Sequence, residues 1–163
     1  MSIPTYSFVA YSNTGKTTFL EKLVPLLKEK GLRVAVYKHD GHDFEIDKEG
    51  KDSWRMTRAG ADVTLISSGT KAVIMENRYI APEELVSRIT DVDIIIVEGW
   101  KAGPWKKIAM RRSVNGKDFP VPPDECFALI SDTPILGHNN VFDLNDVKGV
   151  ADFLISDMKY KKS

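Results

Sequence analysis

The chain has 163 residues, the size of one domain whose single core can bury roughly 70% of the surface that the unfolded chain exposes. Hydrophobic residues make up 42% and charged residues 28%, proportions that exclude a disordered or fibrous protein. Lysine plus arginine equals aspartate plus glutamate at 23 each, so no overall charge draws the chain to nucleic acid or to an acidic membrane, and any anion site must be local.

The first residues, MSIPTYSFVAYS, hold neither a basic leader nor a long apolar run. No segment approaches the roughly 20 apolar residues of a membrane helix, so a soluble protein is expected. YSFVA, ending at Ala10, reads as the first strand. A helix is expected from near Lys16, because Leu20, Leu23, Val24 and Leu27 repeat at the i, i+3, i+4, i+7 spacing of one apolar stripe. Gly31 ends it, and Pro25 inside it removes one backbone hydrogen bond and predicts a kink. VAVYKH (34–39), VTLIS (63–67) and AVIM (72–75) follow as strands, PEELVSRI (82–89) as a helix and DIIIVEG (93–99) as a buried central strand. FALIS (127–131) reads as a late strand and VKGVADFLISDMK (147–159) as the last helix. Continuous β-branched runs alternating with helices predict an α/β fold, a mostly parallel twisted sheet with helices on both faces in one domain spanning 1–163. The segments 40–52 and 100–123 have weak periodicity and many glycines, prolines and charges, and are expected to be functional loops. Cys126 is the only cysteine, which excludes an internal disulfide and suits the reducing cytoplasm.

Between the first strand and the first helix lies AYSNTGKTTF (10–19). A phosphate loop reads G-x-x-x-x-G-K-[ST]. Gly15, Lys16 and Thr17 match, while Ala10 stands in place of the first glycine. That position therefore tolerates a Cβ and keeps a negative φ. The grip comes from the second half of the loop: the backbone N–H groups of Asn13, Thr14, Gly15, Lys16, Thr17 and Thr18 can curl around an anion at the positive end of the helix. Lys16 would reach the β- and γ-phosphates, and the Thr17 hydroxyl would bind magnesium. Glu98, at the carboxyl end of the buried strand, is placed to add a carboxylate beside that ion. Read alone, it is the loop acid that ends a core strand; paired with the loop, it reads as the acid beside the metal ion.

With KHDGHDFEID (38–47), GKDSWRMTRAGA (50–61) and VEGWK (97–101) beside the loop, the chain resembles the molybdopterin-guanine dinucleotide biosynthesis protein B family from about Phe8 to Asp132. The resemblance implies a phosphate-loop GTPase fold related to the nitrogenase-iron-protein and signal-recognition group, usually homodimeric. It further implies that GTP and Mg2+ are bound, that GTP hydrolysis is weak, and that the partner is the guanylyltransferase attaching GMP to the molybdopterin cofactor. Asp40, after the second strand, is by resemblance the group that positions water or faces magnesium. Its local alternative is a loop cap. Asp43 and Asp47 are less well placed.

Lys51, Arg55 and Arg58 fall at i, i+4 and i+7, so a helix starting by Lys51 gathers three cations on one face for a phosphate, or presents a solvated stripe balanced by Asp52 and Asp62. From Gly99 to Lys117 the run holds Lys101, Lys106, Lys107, Arg111, Arg112 and Lys117 with no acid, an asymmetry that asks for a partner. Trp100 and Trp105 in the same run can stack on a pterin or guanine, or anchor a dimer or protein partner. No N-K-x-D run exists, and Asp132 after the late strand is the candidate acceptor for guanine N1–H and its amino group, or a turn cap. Two rival readings share the fold: a metal-delivering GTPase using His39, His42, Asp40 and Asp43, and a small-molecule kinase with 99–117 as its lid.

Overall fold

The computed structural model describes residues 2–160, so residues 1 and 161–163 of the expected single domain lie outside the described residues. The chain divides into two compact units. One runs through His39 and resumes at Pro82, and the other is Asp40–Ala81.

The larger unit is built on a six-stranded sheet. Its strands are β1 (Thr5–Ala10), β2 (Val34–Lys38), β5 (Ile94–Glu98), β6 (Lys106–Arg111), β7 (Ala128–Ser131) and β8 (Val141–Asp143), in the spatial order β2-β5-β1-β6-β7-β8. Every adjacent pair is parallel. Side chains alternate across a sheet, and the alternation here sorts the core into two faces. Phe8, Ile94, Ile96, Ile108, Met110 and Ile130 turn one way, against α1 (Lys16–Glu29) and α4 (Val147–Tyr160). On the opposite face, Ile95 and Val97 pack with Val86 of α3 (Pro82–Ser87). Val9, Ala109 and Leu129 lie there too, with Phe119 and Cys126. Burial pushes the Cys126 thiol pKa up to about 11, which makes it a core residue and not a reactive thiolate. Helix α1 is continuous through Pro25 and ends as expected: Gly31 takes φ +80° and donates to Lys28 O, while Leu32 N reaches back to Leu27 O.

The smaller unit holds α2 (Asp52–Arg58) and a hairpin of β3 (Val63–Ser67) and β4 (Ala72–Glu76). Both segments were expected as strands, but of one sheet. They form a separate antiparallel pair because residues 68–71 are far too short for a parallel crossover. A second departure concerns 100–123, expected as a loop. Its Lys106–Arg111 portion is β6, in the interior of the sheet between β1 and β7. Among the described residues no helix is long and apolar enough to cross a membrane.

Candidate phosphate-binding site

Strand β1 is flanked by β5 and β6, and it delivers the chain to the carboxyl edge of the sheet, where loops rather than strand pairs determine the shape. Ala10 is the last residue of β1, paired with Met110, and φ is not positive there. The turn is made further on. Asn13 and Gly15 both adopt left-handed φ, +65° and +92°, and Thr14 between them is buried, its hydroxyl donating to Tyr11 O at 2.8 Å. Gly15 caps α1 without a side-chain hydrogen bond, so the first-turn amides stay available to an anion. A cleft of about 360 Å³ opens over this loop, lined by residues 10–18 together with Gly99.

The neighbouring strand contributes the acid. Glu98 ends β5, pairs in register with Phe8, and is 8% exposed. Its Oε1 accepts from Lys16 Nζ and, at 2.8 Å, from the Thr17 hydroxyl. Burial pushes the Glu98 carboxyl pKa up, but the hydrogen bonds from Lys16 and Thr17 and the charges of Lys16 and Lys38 outweigh it, and the net displacement is downward. Lysine, threonine hydroxyl and carboxylate, drawn from positions 16, 17 and 98, thus meet beside the cleft.

One residue of this site escaped the sequence reading. Arg112, just past β6, donates from Nε to Thr14 O at 3.1 Å, and a Cβ at position 15 would sit 3.2 Å from its Nη2. Glycine at 15 is therefore favoured by its positive φ, and the guanidinium laid against the loop leaves a Cβ there only a tight fit. Arg112 was visible only as one cation in a basic run, because β6 was not recognised as the strand that aims it.

The remaining candidates scatter. Asp40 is exposed and opens the smaller unit. In that unit Lys51 precedes α2, Arg55 lies 3.9 Å from Asp52, and Arg58 meets Glu45 at 3.1 Å and covers the Trp54 ring. In the larger unit, Lys106 ion-pairs with Asp157 and covers the Phe127 ring, so the acid missing from its own segment comes from α4. Lys107 is half-buried in the strand. Lys101 and Lys117 each approach the Tyr11 ring, at 4.9 and 5.0 Å from its centroid. Trp100 and Trp105 close over Gly103, and Trp100 also meets His39 and donates to Glu83 at 3.0 Å. Asp132 accepts from both the backbone N–H and the hydroxyl of Ser113, each at 2.8 Å, and those bonds hold its carboxyl below the usual range. Among the described residues no cluster of three His, Cys, Asp or Glu side chains is placed to hold a metal ion.

A sheet of this order, with a phosphate loop at its centre and a buried acid on the adjoining strand, matches known proteins along nearly its whole length. The family model for molybdopterin guanine dinucleotide synthesis protein B, MobB, matches residues 5–132. The chain belongs to the MobB family. Its relative from Escherichia coli (strain K12), named molybdopterin-guanine dinucleotide biosynthesis adapter protein, is 37% identical over 168 residues, covering 96% of this chain and 94% of that protein. A relative of the same name from Haemophilus influenzae is 35% identical over 156 residues, covering 93% and 88%. The crystal structure of Bacillus subtilis MobB superposes with a TM-score of 0.76 at 27% identity, covering 94% of this chain and 97% of that one. The fold is the phosphate-loop fold of the MobB structures.

Proposed function

We propose that this MobB-family chain is an adapter of molybdopterin-guanine dinucleotide biosynthesis that binds GTP with magnesium, hydrolyses it slowly and assists the guanylyltransferase. The observation that carries the reading is the convergence of Lys16, Thr17 and Glu98 beside a cleft lined by loop 10–18. The relatives named as adapters of this pathway support the biological setting.

The donors fit magnesium: Thr17 Oγ1 and Glu98 Oε1 are hard oxygens 2.8 Å apart, the ligand class this ion takes. When bound, the ion would neutralise charge on the phosphate oxygens. Lys16 would exchange part of its contact with Glu98 for those oxygens, the first-turn amides of α1 would hold the anion, and Arg112 engages the Thr14 carbonyl by its hydrogen bond. Asp40 is proposed to position water. Lys51, Arg55 and Arg58 of the smaller unit, and separately Lys101, Lys106 and Lys107 of the larger one, are proposed as contacts for the molybdopterin cofactor or the transferase. A homodimer belongs to the same reading: Leu65 and Ile74, directly paired across the hairpin, are 69% and 66% exposed, an apolar face suited to a second copy.

Calorimetric titration with GTP and ATP, each with and without magnesium, followed by turnover in the presence of purified transferase, tests the reading. Magnesium-dependent GTP binding is expected. A preference for ATP with phosphate passed to a small acceptor would replace it with a kinase.

A further inference from the structure

Tyr11 lines the phosphate cleft and is 37% exposed. Two ammonium groups approach its ring, Lys101 Nζ at 4.9 Å from the centroid and Lys117 Nζ at 5.0 Å. They come from different connections, the first after β5 and the second after β6, and both lysines are exposed. The backbone beneath each is tied down. Ser7 Oγ donates to Trp100 O at 2.7 Å, one residue before Lys101. Ahead of Lys117 runs a short 3-10 turn, Ser113–Asn115, whose first residue donates twice to Asp132 and which Gly116 closes at φ +61°. Arg112, just before that turn, is bonded to Thr14 O. Asp132 therefore fixes the point from which Lys117 reaches the cleft.

Two like charges on one ring repel, and an exposed lysine ordinarily stands apart in water. Among the described residues neither lysine has a carboxylate partner. The acid next to Lys117 is already engaged: Asp118 Oδ1 accepts from Arg111 Nη1 at 3.3 Å and from the Phe119 N–H at 2.8 Å. The Tyr11 hydroxyl likewise has no hydrogen-bond partner among the described residues, so the rim offers two cations and a further donor with nothing to receive them. The nucleotide's own phosphates are served inside the cleft by Lys16 and the loop amides, whereas Lys101 and Lys117 do not line it. A phosphomonoester has three acceptor oxygens and close to two charges, which matches two ammonium groups and a hydroxyl better than a carboxylate with one charge.

We propose that Tyr11, Lys101 and Lys117 form a second anion site at the rim of the phosphate cleft, which takes the phosphomonoester group of a small molecule other than the nucleotide. The proposal rests on the phosphate-loop reading for the occupant of the cleft itself, and places the anionic end of a second molecule beside it.

Phenyl phosphate is a suitable probe, titrated by phosphorus NMR into the full chain saturated with magnesium and a non-hydrolysable GTP analogue. It should bind the saturated parent chain, and Lys101→Ala and Lys117→Ala should each weaken it about tenfold or more while nucleotide affinity stays within about twofold and thermal unfolding is unchanged. Failure of phenyl phosphate to bind the nucleotide-saturated parent would overturn the proposal, and so would variants that bind it as the parent does. Equal loss of both ligands would assign the lysines to the nucleotide's phosphates and overturn it as well. Loss of transferase pull-down with phenyl phosphate binding intact would make the pair a protein contact, again overturning it. A parent chain that binds no nucleotide, yet takes phenyl phosphate through Lys101 and Lys117, would remove the phosphate-loop reading and leave the rim site standing.

Discussion

Lys16 and Glu98 stand 82 positions apart and meet in one ion pair, the lysine arriving from the phosphate loop and the glutamate from the end of the adjoining strand. Lys16→Ala removes charge-assisted hydrogen bonds worth about 1.5–3 kcal/mol each to bound phosphate, so GTP affinity should fall tenfold or more by calorimetry. It also leaves a buried carboxylate without its cation, and urea unfolding should register a loss of about 1–3 kcal/mol.

The same pair gives acid sensitivity a defined sign. The folded pKa of Glu98 lies below its ordinary 4.5, so the stabilisation is complete above that value and drains away as pH falls through the depressed folded pKa. Glu98→Gln should flatten the stability profile below about pH 4.5 and leave its neutral limb with a shallower magnesium dependence of GTP binding. Unfolding midpoints measured from pH 3 to 7 check the first effect, and magnesium titrations the second. Superimposable curves for the Glu98→Gln variant and the parent chain would remove Glu98 from the site.

Ala10 lines the cleft as the last residue of β1, paired with Met110 and without a positive φ, and the left-handed turn lies further on at Asn13 and Gly15. Ala10→Gly should therefore restore the full loop pattern without improving affinity beyond about twofold, and should lower stability by about 0.5–1 kcal/mol through backbone entropy. A large gain in GTP affinity would show that the first position takes part in the grip.

Gly103 is buried where a Cβ would approach Trp100 and Trp105 to 2.6 Å. Gly103→Ala should cost about 1–3 kcal/mol by overpacking and should change the near-ultraviolet circular dichroism of the two indoles. A silent spectrum would mean that the rings are free enough to move aside, and hence free to stack on a ligand.

Lys106 is held by Asp157 and lies 4.0 Å from the centroid of the Phe127 ring. Reversing its charge sets two acids against each other, and Lys106→Glu should lower stability by about 1–3 kcal/mol. Charge reversal at the exposed Lys101 should leave stability within about 0.5 kcal/mol, which makes it the cleaner variant for pull-down with the transferase.

Much of this could be read in advance because local and global signals agree along β1, α1, β5 and α4, where apolar spacing, the glycine stop and the loop residues all favour the same elements. Lys106–Arg111 hid its strand because only Ile108, Ala109 and Met110 are apolar, with cations on both sides, and the acid that balances Lys106 sits 51 positions away. The three-residue β8 is too short to leave a periodic trace. The hairpin follows from link length: the four residues 68–71 cannot join parallel strands, so the two strands they connect pair antiparallel. In the site, Gly15, Lys16, Thr17 and Glu98 announced themselves through spacing. Arg112 did not, since its position depends on the strand that went unseen.

The sheet order has a consequence for how the protein is made. The phosphate loop precedes in the chain both strands that flank its own: among the described residues β1 pairs with β5 and β6, and the last residue of β6 is Arg111. A nascent chain halted before that point carries the loop's residues without the strands that brace it on either side, so capture of nucleotide must await late, long-range closure of the sheet.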